Sequence, residues 1–180
     1  TITEPAIITS SGALTMVACN GDSTGAITLT VSGGTTPYNF LWITGDTTQN
    51  ISSLGAGTYS VLITDSNSCV HRDTFVITQP SAIQLSKSVQ NISCFGVTDG
   101  SITLTMSGGV SPYKYLWSNS DTTSSISGLA KQQYTVIVTD SNGCLFYDST
   151  TITEPSQLTV TRTVQHVSCF GANDGSVDLA

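Results

Sequence analysis

The sequence repeats itself with a period of about 75 residues, and this periodicity constrains the fold more than any other feature. The motif "SGGTTPYNFLW" (32–42) recurs as "SGGVSPYKYLW" (107–117), and "VLITDSNSC" (61–69) recurs as "VIVTDSNGC" (136–144). Segment 1–75 matches segment 76–150 at 33 positions without a gap. A period of this length indicates a tandem array of small domains, because about 75 residues can just close a core of their own.

The period divides the chain into two complete units and two partial ones. We expect residues 1–5 to end a preceding unit, residues 6–80 and 81–155 to form repeats 1 and 2, and residues 156–180 to supply the first strands of an incomplete third repeat. Since the chain begins at Thr1 inside a repeat, we expect it to be a processed or excised piece of a longer protein.

Apolar residues within each unit recur with period two, which is typical of β-strands. In "SITLTM", for example, Ile102, Leu104 and Met106 fall on one face. We expect strands in repeat 2 near 83–93, 101–107, 113–118, 122–127, 133–140 and 144–152, separated by turns rich in Gly, Asn and Asp. Tyr134, like Tyr59, follows a turn at the start of a late strand, as in the tyrosine corner of immunoglobulin-like sandwiches. The sequence therefore predicts an all-β chain of tandem immunoglobulin-like β-sandwiches.

Charge and composition argue against several functions. Twelve acidic against five basic residues give a net charge of −7, and the basic residues are scattered, so we expect no nucleic-acid partner. No run approaches the roughly 18 apolar residues of a membrane span, so we expect no membrane insertion. Neither His71 nor His166 has a histidine at the equivalent position of another repeat. Catalysis needs an acid, base or nucleophile with an orienting partner, and we therefore expect no enzyme activity.

Five motifs carry a resemblance to a known family. The segments "SCFGANDGS", "SGGVSPYKYLW", "SISGL", "YTVIVTDSNGC" and "TITEP", each of which follows the period of the chain, resemble the SprB repeat. That family occurs in very large surface adhesins of gliding Bacteroidetes, which leave the cell by the type IX secretion route. The resemblance implies an extracellular, cell-surface location and a filament of many repeats that acts as a spacer or tether in adhesion and gliding motility. It implies no enzyme activity and no cofactor, and its partners would be neighbouring repeats and external surfaces or polysaccharide.

A lectin-like, ligand-binding module is the alternative function. An aromatic set in each repeat would stack on a carbohydrate if exposed: Tyr38, Phe40 and Trp42 in repeat 1, and Tyr113, Tyr115 and Trp117 in repeat 2. Period-two spacing among apolar strands favours a place in the core instead. Exposure of Trp117 and its counterpart Trp42 is the observation that separates the two interpretations.

Acidic turns are candidate calcium ligands. Asp99 and Asp174 lie in the turn after the first strand, whereas Asp140 and Asn142 lie in a late turn of repeat 2. Calcium takes about six to eight oxygen ligands, often from several loops. The alternative is that these side chains cap their own turns by bonding the backbone. Thr24 stands in repeat 1 where repeat 2 has Asp99, so a ligand role for that aspartate would not extend to repeat 1.

Three hydroxyl residues are candidate glycosylation sites. Thr47, Thr122 and Ser149 lie in the triplets "DTT", "DTT" and "DST", which resemble the Asp-Ser/Thr-Xaa acceptor of O-glycans in Bacteroidetes. The alternative is that they are ordinary polar positions in turns and at strand ends. The sequence leaves both interpretations open.

The five cysteines fall into two classes: Cys19, Cys94 and Cys169 follow the first strand, and Cys69 and Cys144 follow the late "TDSN" turn. Pairing within a repeat would join Cys19–Cys69 and Cys94–Cys144. In an immunoglobulin-like sandwich those two turns lie at opposite ends, whereas a disulfide needs Cα atoms within about 7 Å. We therefore expect an inter-repeat Cys19–Cys144 bond across the junction at Pro80, with pairing within a repeat and free thiols as alternatives.

Overall fold

The computed structural model describes residues 4–180, so residues 1–3 of the segment assigned to a preceding unit lie outside the described part. The described residues form 14 β-strands joined by turns and loops, and none of them is helical. Within residues 4–180, no helix has the length and apolar character needed to cross a membrane. The prediction of an all-β chain is confirmed.

Each repeat contributes six strands. Repeat 1 contains β1 (Thr9–Thr15), β2 (Gly25–Ser32), β3 (Asn39–Trp42), β4 (Ile51–Leu54), β5 (Gly57–Thr64) and β6 (Val70–Ile77). Repeat 2 contains β7 (Gln84–Gln90), β8 (Gly100–Ser107), β9 (Lys114–Trp117), β10 (Ser125–Leu129), β11 (Gln133–Thr139) and β12 (Leu145–Thr151). The remaining residues form β13 (Arg162–Gln165) and β14 (Ser176–Leu179).

All six strands predicted for repeat 2 are present, with shifted ends. The first, expected over 83–93, covers only Gln84–Gln90. The fourth, expected from 122, begins at Ser125. The later start has a local cause: an Asp121 carboxylate oxygen accepts hydrogen bonds from the backbone N–H and the hydroxyl of Thr123, which holds this segment in a turn.

The strand order defines the fold class. In repeat 1 one antiparallel sheet has the order β1-β2-β4 and the other has the order β3-β5-β6. In immunoglobulin notation these are sheets A-B-E and C-F-G, without strand D. Repeat 2 has the same two sheets, β7-β8-β10 and β9-β11-β12. Each repeat is therefore a six-stranded immunoglobulin-like β-sandwich.

Each sandwich encloses its own core, built from the inward residues of the alternating strands. The core of repeat 1 includes Ile27, Trp42 and Ile63, and that of repeat 2 includes the equivalent Ile102, Trp117 and Val138. The predicted tyrosine corners are also present. Tyr59 Oη donates to the Gly55 carbonyl at 3.0 Å, and Tyr134 Oη donates to the Ala130 carbonyl at 3.3 Å.

The "SGG" motif forms a turn that fixes the segment before the first strand. Gly33 adopts a φ of 77°, and a Cβ on it would lie 2.0 Å from the Ile7 carbonyl oxygen, so only glycine fits. The next glycine, Gly34, donates its N–H to the Ala6 carbonyl at 2.6 Å. Repeat 2 repeats the arrangement with a Gly109–Ser81 bond of 2.8 Å.

The chain passes through each sandwich from one end to the other. We call the end of a repeat where the chain arrives, marked by the Ala6–Gly34 bond in repeat 1, the leading end. At the opposite or trailing end, the Val17 N–H donates to the Thr78 carbonyl at 3.0 Å, just after β6. The trailing end of repeat 1 therefore adjoins the leading end of repeat 2.

Residues 156–180 form only the first two strands of the pattern. β13 and β14 pair from Arg162 to Gln165, as β7 and β8 pair in repeat 2. Val177 and Leu179 are 61% and 71% exposed, although their equivalents Ile102 and Leu104 are 0% and 4% exposed. The difference follows because no second sheet covers this hairpin in the described part of the chain.

Candidate functional site

The most distinctive feature is a disulfide between the two repeats. Cys19, in the β1–β2 turn at the trailing end of repeat 1, is bonded to Cys144, in the β11–β12 turn at the leading end of repeat 2. Their Cα atoms are 5.6 Å apart, and 125 residues separate them in sequence. Of the inter-repeat and intra-repeat pairings that the sequence allows, this is the inter-repeat bond across the junction at Pro80.

The pairing within a repeat does not occur. Cys69 and Cys94, which Cys19–Cys69 and Cys94–Cys144 bonds would require, are free and exposed, as is Cys169. The physical reason is that the first and last turns lie at opposite ends of one sandwich, beyond the reach of a disulfide.

Hydrogen bonds hold the same joint. We call residues 18–22 of repeat 1 the junction loop. Asn142 Nδ2 donates to the Ala18 carbonyl at 2.9 Å, and Asn20 Nδ2 donates to the Pro80 carbonyl at 2.9 Å. The Gly21 N–H also donates to Gln79 Oε1 at 2.8 Å. The junction loop is therefore fixed both by repeat 2 and by the segment that connects the repeats.

A cleft of about 430 Å³ lies beside this joint. Asn20 and Asp22 of the junction loop line one side, and Ala82, Leu145 and Phe146 line the other. Its walls are mostly apolar carbon, and the carboxylates of Asp22 and Asp140 are the charged groups in its lining.

A buried aspartate shapes the turn that carries Cys144. Asp140 is only 4% exposed, and its Oδ1 accepts hydrogen bonds from the N–H groups of Asn142 and Cys144, both at 2.9 Å. Its Oδ2 accepts from the Val110 N–H at 2.9 Å. Burial opposes ionisation of this carboxyl, but the backbone hydrogen bonds outweigh it and lower the pKa below the ordinary value of 3.8. Asp65 has the equivalent hydrogen bonds in repeat 1.

The structure does not bring the four calcium candidates together. Asp140 and Asn142 lie at the leading end of repeat 2, where the backbone and the Ala18 carbonyl engage them. Asp99 lies at the trailing end and accepts from the hydroxyl and N–H of Ser93, which lower its pKa. Asp174 accepts from the Ser168 N–H at 3.0 Å in the third segment. The described residues contain no group of three or more His, Cys, Asp or Glu side chains suited to a metal ion.

The substitution at position 24 has a simple explanation. Thr24 Oγ1 accepts a hydrogen bond from the Ala18 N–H at 3.0 Å. This is the same bond that Asp99 makes to Ser93 in repeat 2, at the same distance. A threonine and an aspartate therefore both cap this turn.

The tryptophans belong to the core. Trp42 is 1% exposed and Trp117 is 3% exposed. Their indole N–H groups donate to the carbonyls of Thr48 and Thr123, at 2.8 and 2.9 Å. Buried rings that are already hydrogen-bonded are not available for stacking on a sugar, so the interpretation of these tryptophans as a carbohydrate platform is wrong.

The three glycosylation candidates are accessible. Thr47 and Thr122 are exposed in the turns that bind the tryptophan indoles, and Ser149 is exposed on β12. Exposure is compatible with both earlier interpretations, and glycosylation stays a prediction.

Two immunoglobulin-like sandwiches joined end to end by a disulfide define a tandem-domain protein of the kind typical of oxidising, extracellular environments. The family model described as "SprB repeat" matches residues 11–47 and 86–122, which are equivalent stretches of repeats 1 and 2 and run from the first strand to the turn after the third. Repeats 1 and 2 therefore each contain a match to the SprB repeat family, which suggests a surface-adhesin repeat from a cell-surface protein.

The chain is also similar to a solved structure. A solved chain titled "Structure of amphioxus IgVJ-C2 molecule" aligns over 67% of this chain and 90% of its own length, with 13% identity and a TM-score of 0.31. The fold class rests on the strand order of the two sheets in each repeat. No match was found among the curated proteins.

Proposed function

We propose that this chain is a structural segment of a filamentous cell-surface adhesin, and that it acts as an extended spacer or tether in surface adhesion and gliding motility. The observation that carries the proposal is the covalent joint between successive repeats, Cys19–Cys144. In this proposal the segment has no enzyme activity and needs no cofactor.

The path of the chain supports an extended shape. Each sandwich takes the chain in at its leading end and releases it at its trailing end, so each repeat adds its own length to the filament. Between the trailing-end bond at Thr78 and the leading-end bond at Ser81 lie only Gln79 and Pro80. Pro80 has a restricted φ, and the segment contains no Gly/Ser-rich stretch that would let the repeats collapse on each other.

The disulfide supports a role in bearing tension. A force applied along the chain acts on the joint at Pro80 and on the Cys19–Cys144 bond in parallel. While the bond is intact, residues 20–143 lie inside a covalent loop and cannot extend, even if both sandwiches unfold. A segment with this property limits the length that a filament gains under load.

Single-molecule pulling from the two termini tests the proposal. The oxidised chain is expected to gain contour length only from residues outside the loop. The double variant Cys19→Ser/Cys144→Ser is expected to gain about 400 Å more on complete unfolding, because each released residue adds about 3.3–3.6 Å. Equal extension of the two proteins would contradict a load-bearing joint.

Small-angle scattering provides a second test that does not depend on force. The oxidised chain is expected to show the distance distribution of an elongated particle. In the pulling experiment, the variant Cys69→Ser, which leaves the joint intact, is the matched control for cysteine removal. A compact, near-spherical particle would contradict the spacer role.

We do not propose the lectin-like alternative. It depended on exposed tryptophans or on convergent calcium ligands, and no observation among the described residues favours either.

A further inference from the structure

The trailing end of repeat 2 is closed by a pair of hydrogen bonds between the segment after β7 and the segment after β12. The Ile92 N–H donates to the Thr153 carbonyl at 3.0 Å, and the Thr153 N–H donates to Asn91 Oδ1, also at 3.0 Å. The side-chain amide oxygen of Asn91 is a good acceptor, so both backbone groups of Thr153 are satisfied. Repeat 2 therefore has an oxygen acceptor at this position.

Repeat 1 has a methionine at the same position, 75 residues earlier. The Val17 N–H donates to the Thr78 carbonyl, as Ile92 does to Thr153. The N–H and the hydroxyl of Thr78 both donate to Met16 Sδ, at 3.4 and 3.6 Å. Because a thioether sulfur is a weak acceptor, these two donors have a poorer partner than the Thr153 N–H has in repeat 2.

Met16 lies where an oxidant in solution reaches it. Its exposed fraction is 44%, and in the described part of the chain it lies outside the core of repeat 1. Met106, the other methionine of the sequence, is half-buried and packs against the core of repeat 2. An oxygen added to Met106 would place a polar atom against a core, whereas an oxygen added to Met16 would lie beside the two donors of Thr78.

We propose that Met16 is a site of reversible oxidation, and that its sulfoxide oxygen accepts the hydrogen bonds from Thr78 that the sulfur accepts only weakly. The oxidised side chain then has the role in repeat 1 that Asn91 has in repeat 2. Oxidation therefore strengthens the trailing end of repeat 1, beside the joint with repeat 2, instead of weakening the fold. The inference does not depend on the proposed function.

The covalent step needs a peroxide, and hydrogen peroxide is sufficient. A lone pair of the Met16 sulfur attacks one peroxide oxygen, so that an S–O bond forms and the O–O bond breaks. The proton of the transferred oxygen passes to the departing hydroxide, which leaves as water. The sulfur loses two electrons and the peroxide gains them. Since methionine has three rotatable side-chain bonds, the sulfur can move back and let the new oxygen face Thr78.

Peptide mapping of the whole chain after graded treatment with hydrogen peroxide is the first test. The Cys19–Cys144 bond stays intact, and the free thiols are alkylated beforehand at neutral pH so that they consume no oxidant. Sulfoxide is expected to form about tenfold faster at Met16 than at Met106, because exposure controls access of the oxidant. Equal rates, or faster oxidation of Met106, would overturn the proposal.

Amide hydrogen exchange of the Thr78 N–H, followed by NMR, measures the new hydrogen bond directly. Selective oxidation of Met16 is expected to slow this exchange about fivefold, because an oxygen acceptor replaces a sulfur acceptor. The Thr153 N–H of the same molecule is the internal control, and its exchange rate should stay constant because Asn91 already binds it. Unchanged or faster exchange at Thr78 after oxidation would show that the sulfoxide does not accept the bond.

Two variants separate the acceptor atom from other effects of the oxidant. Met16→Asn supplies the acceptor found in repeat 2, so it should slow Thr78 exchange without peroxide and remove any further effect of peroxide. Met16→Leu has a similar apolar volume but no acceptor, so exchange at Thr78 should become faster. If peroxide slows Thr78 exchange in Met16→Leu as well, the effect comes from another residue and the proposal fails.

Enzymatic reduction tests whether the change is reversible. Methionine sulfoxide reductases specific for each sulfoxide epimer should together return the oxidised chain to its original Thr78 exchange rate. Peptide mapping of the same sample reports how much sulfoxide remains at Met16. A slow exchange rate that persists after the sulfoxide has been fully reduced would assign the effect to a different modification and contradict the proposal.

Discussion

Repeats 1 and 2 share strand order and core positions, but they close the gap between their first and last strands in different ways. In repeat 1, Phe75 of β6 packs over Gly12 of β1, where a Cβ would lie 2.6 Å from Phe75 Cε1. The Phe75 ring centroid is 6.2 Å from that of Trp42. In repeat 2 the equivalent positions hold Lys87 and Thr150, and Lys87 Nζ donates to Thr150 Oγ1 at 2.8 Å.

The aspartate beside this gap changes partners accordingly. Asp73 of repeat 1 accepts from the Ser10 hydroxyl at 2.6 Å. Its equivalent, Asp148, forms an ion pair with Lys87 at 2.7 Å. The same strand arrangement therefore holds either an aromatic ring packed on glycine or a lysine ion pair between the first and last strands. In both repeats, the residues on the two strands suit each other. Four predictions test this comparison, from the largest expected effect to the smallest.

The largest effect is expected in the cores, where the repeats are most alike. Trp42→Ala and Trp117→Ala are each expected to lower the free energy of unfolding of their repeat by about 3–5 kcal/mol, with Trp42 at the upper end because Phe75 packs against it. Denaturant titration followed by circular dichroism measures the loss. The controls are Leu41→Ala and Leu116→Ala, since both leucines are 52% exposed. A loss below about 1 kcal/mol for either tryptophan would show that the ring is not a core residue.

A swap at the gap tests whether its two sides are coupled. Gly12→Lys alone is expected to destabilise repeat 1 by about 1–3 kcal/mol, because the new side chain overlaps the Phe75 ring. Adding Phe75→Thr reproduces the pair found in repeat 2 and lets the lysine reach Asp73. A double-mutant cycle with Phe75→Thr alone measures the coupling. Additive losses would mean that the two positions are independent.

The ion pair of repeat 2 is expected to contribute less. Lys87→Met should lower the free energy of unfolding of repeat 2 by about 1 kcal/mol or less, because the Lys87 and Asp148 side chains are 34% and 25% exposed. The loss should shrink as salt concentration rises. Lys114→Met, which changes an exposed lysine of β9, is the control. An effect of Lys87→Met that does not depend on salt would point to packing of its aliphatic chain.

The smallest difference between the repeats is expected at Asp65 and Asp140. Burial disfavours their ionised forms, but backbone hydrogen bonds outweigh it and lower both pKa values below 3.8. Each carboxylate thus adds stability that is fully present above its unfolded-state pKa and is lost as pH falls through the lower folded-state pKa. In a plot of the free energy of unfolding against pH, stability falls below about pH 4. Asp65→Asn and Asp140→Asn should make this fall less steep, each to a similar extent. Acid titrations that flatten for only one variant would show that the two turns are not equivalent.

Much of this fold was predictable because its signals are local or periodic. Alternation in "SITLTM" placed Ile102 and Leu104 inside, and the position of Tyr134 after a turn indicated the tyrosine corner. The proximity of Cys19 and Cys144 followed from sandwich topology, which places those turns at adjoining ends of successive units.

The features that sequence reasoning missed depend on residues that are distant in sequence. Gly12 and Phe75 have no shared pattern that marks them as a pair, since they lie in the first and last strands of repeat 1. The sequence leaves the buried Asp140 as a calcium candidate, because its bond to the Val110 N–H forms only when two loops meet. The spacing of Asp140 and Asn142 was compatible with a self-capping turn, which was the available signal for its structural role.

The joint between the repeats also has a consequence for proteolysis. Residues 19–144 form a closed covalent ring, because the peptide chain and the disulfide join the same two cysteines. If a protease cuts one peptide bond within that ring, for example in an exposed turn, the two products remain attached through Cys19 and Cys144. Separation of these two products then requires a second event, the reduction of the Cys19–Cys144 bond. An adhesin built from such units would survive single cleavages that would sever an ordinary string of domains.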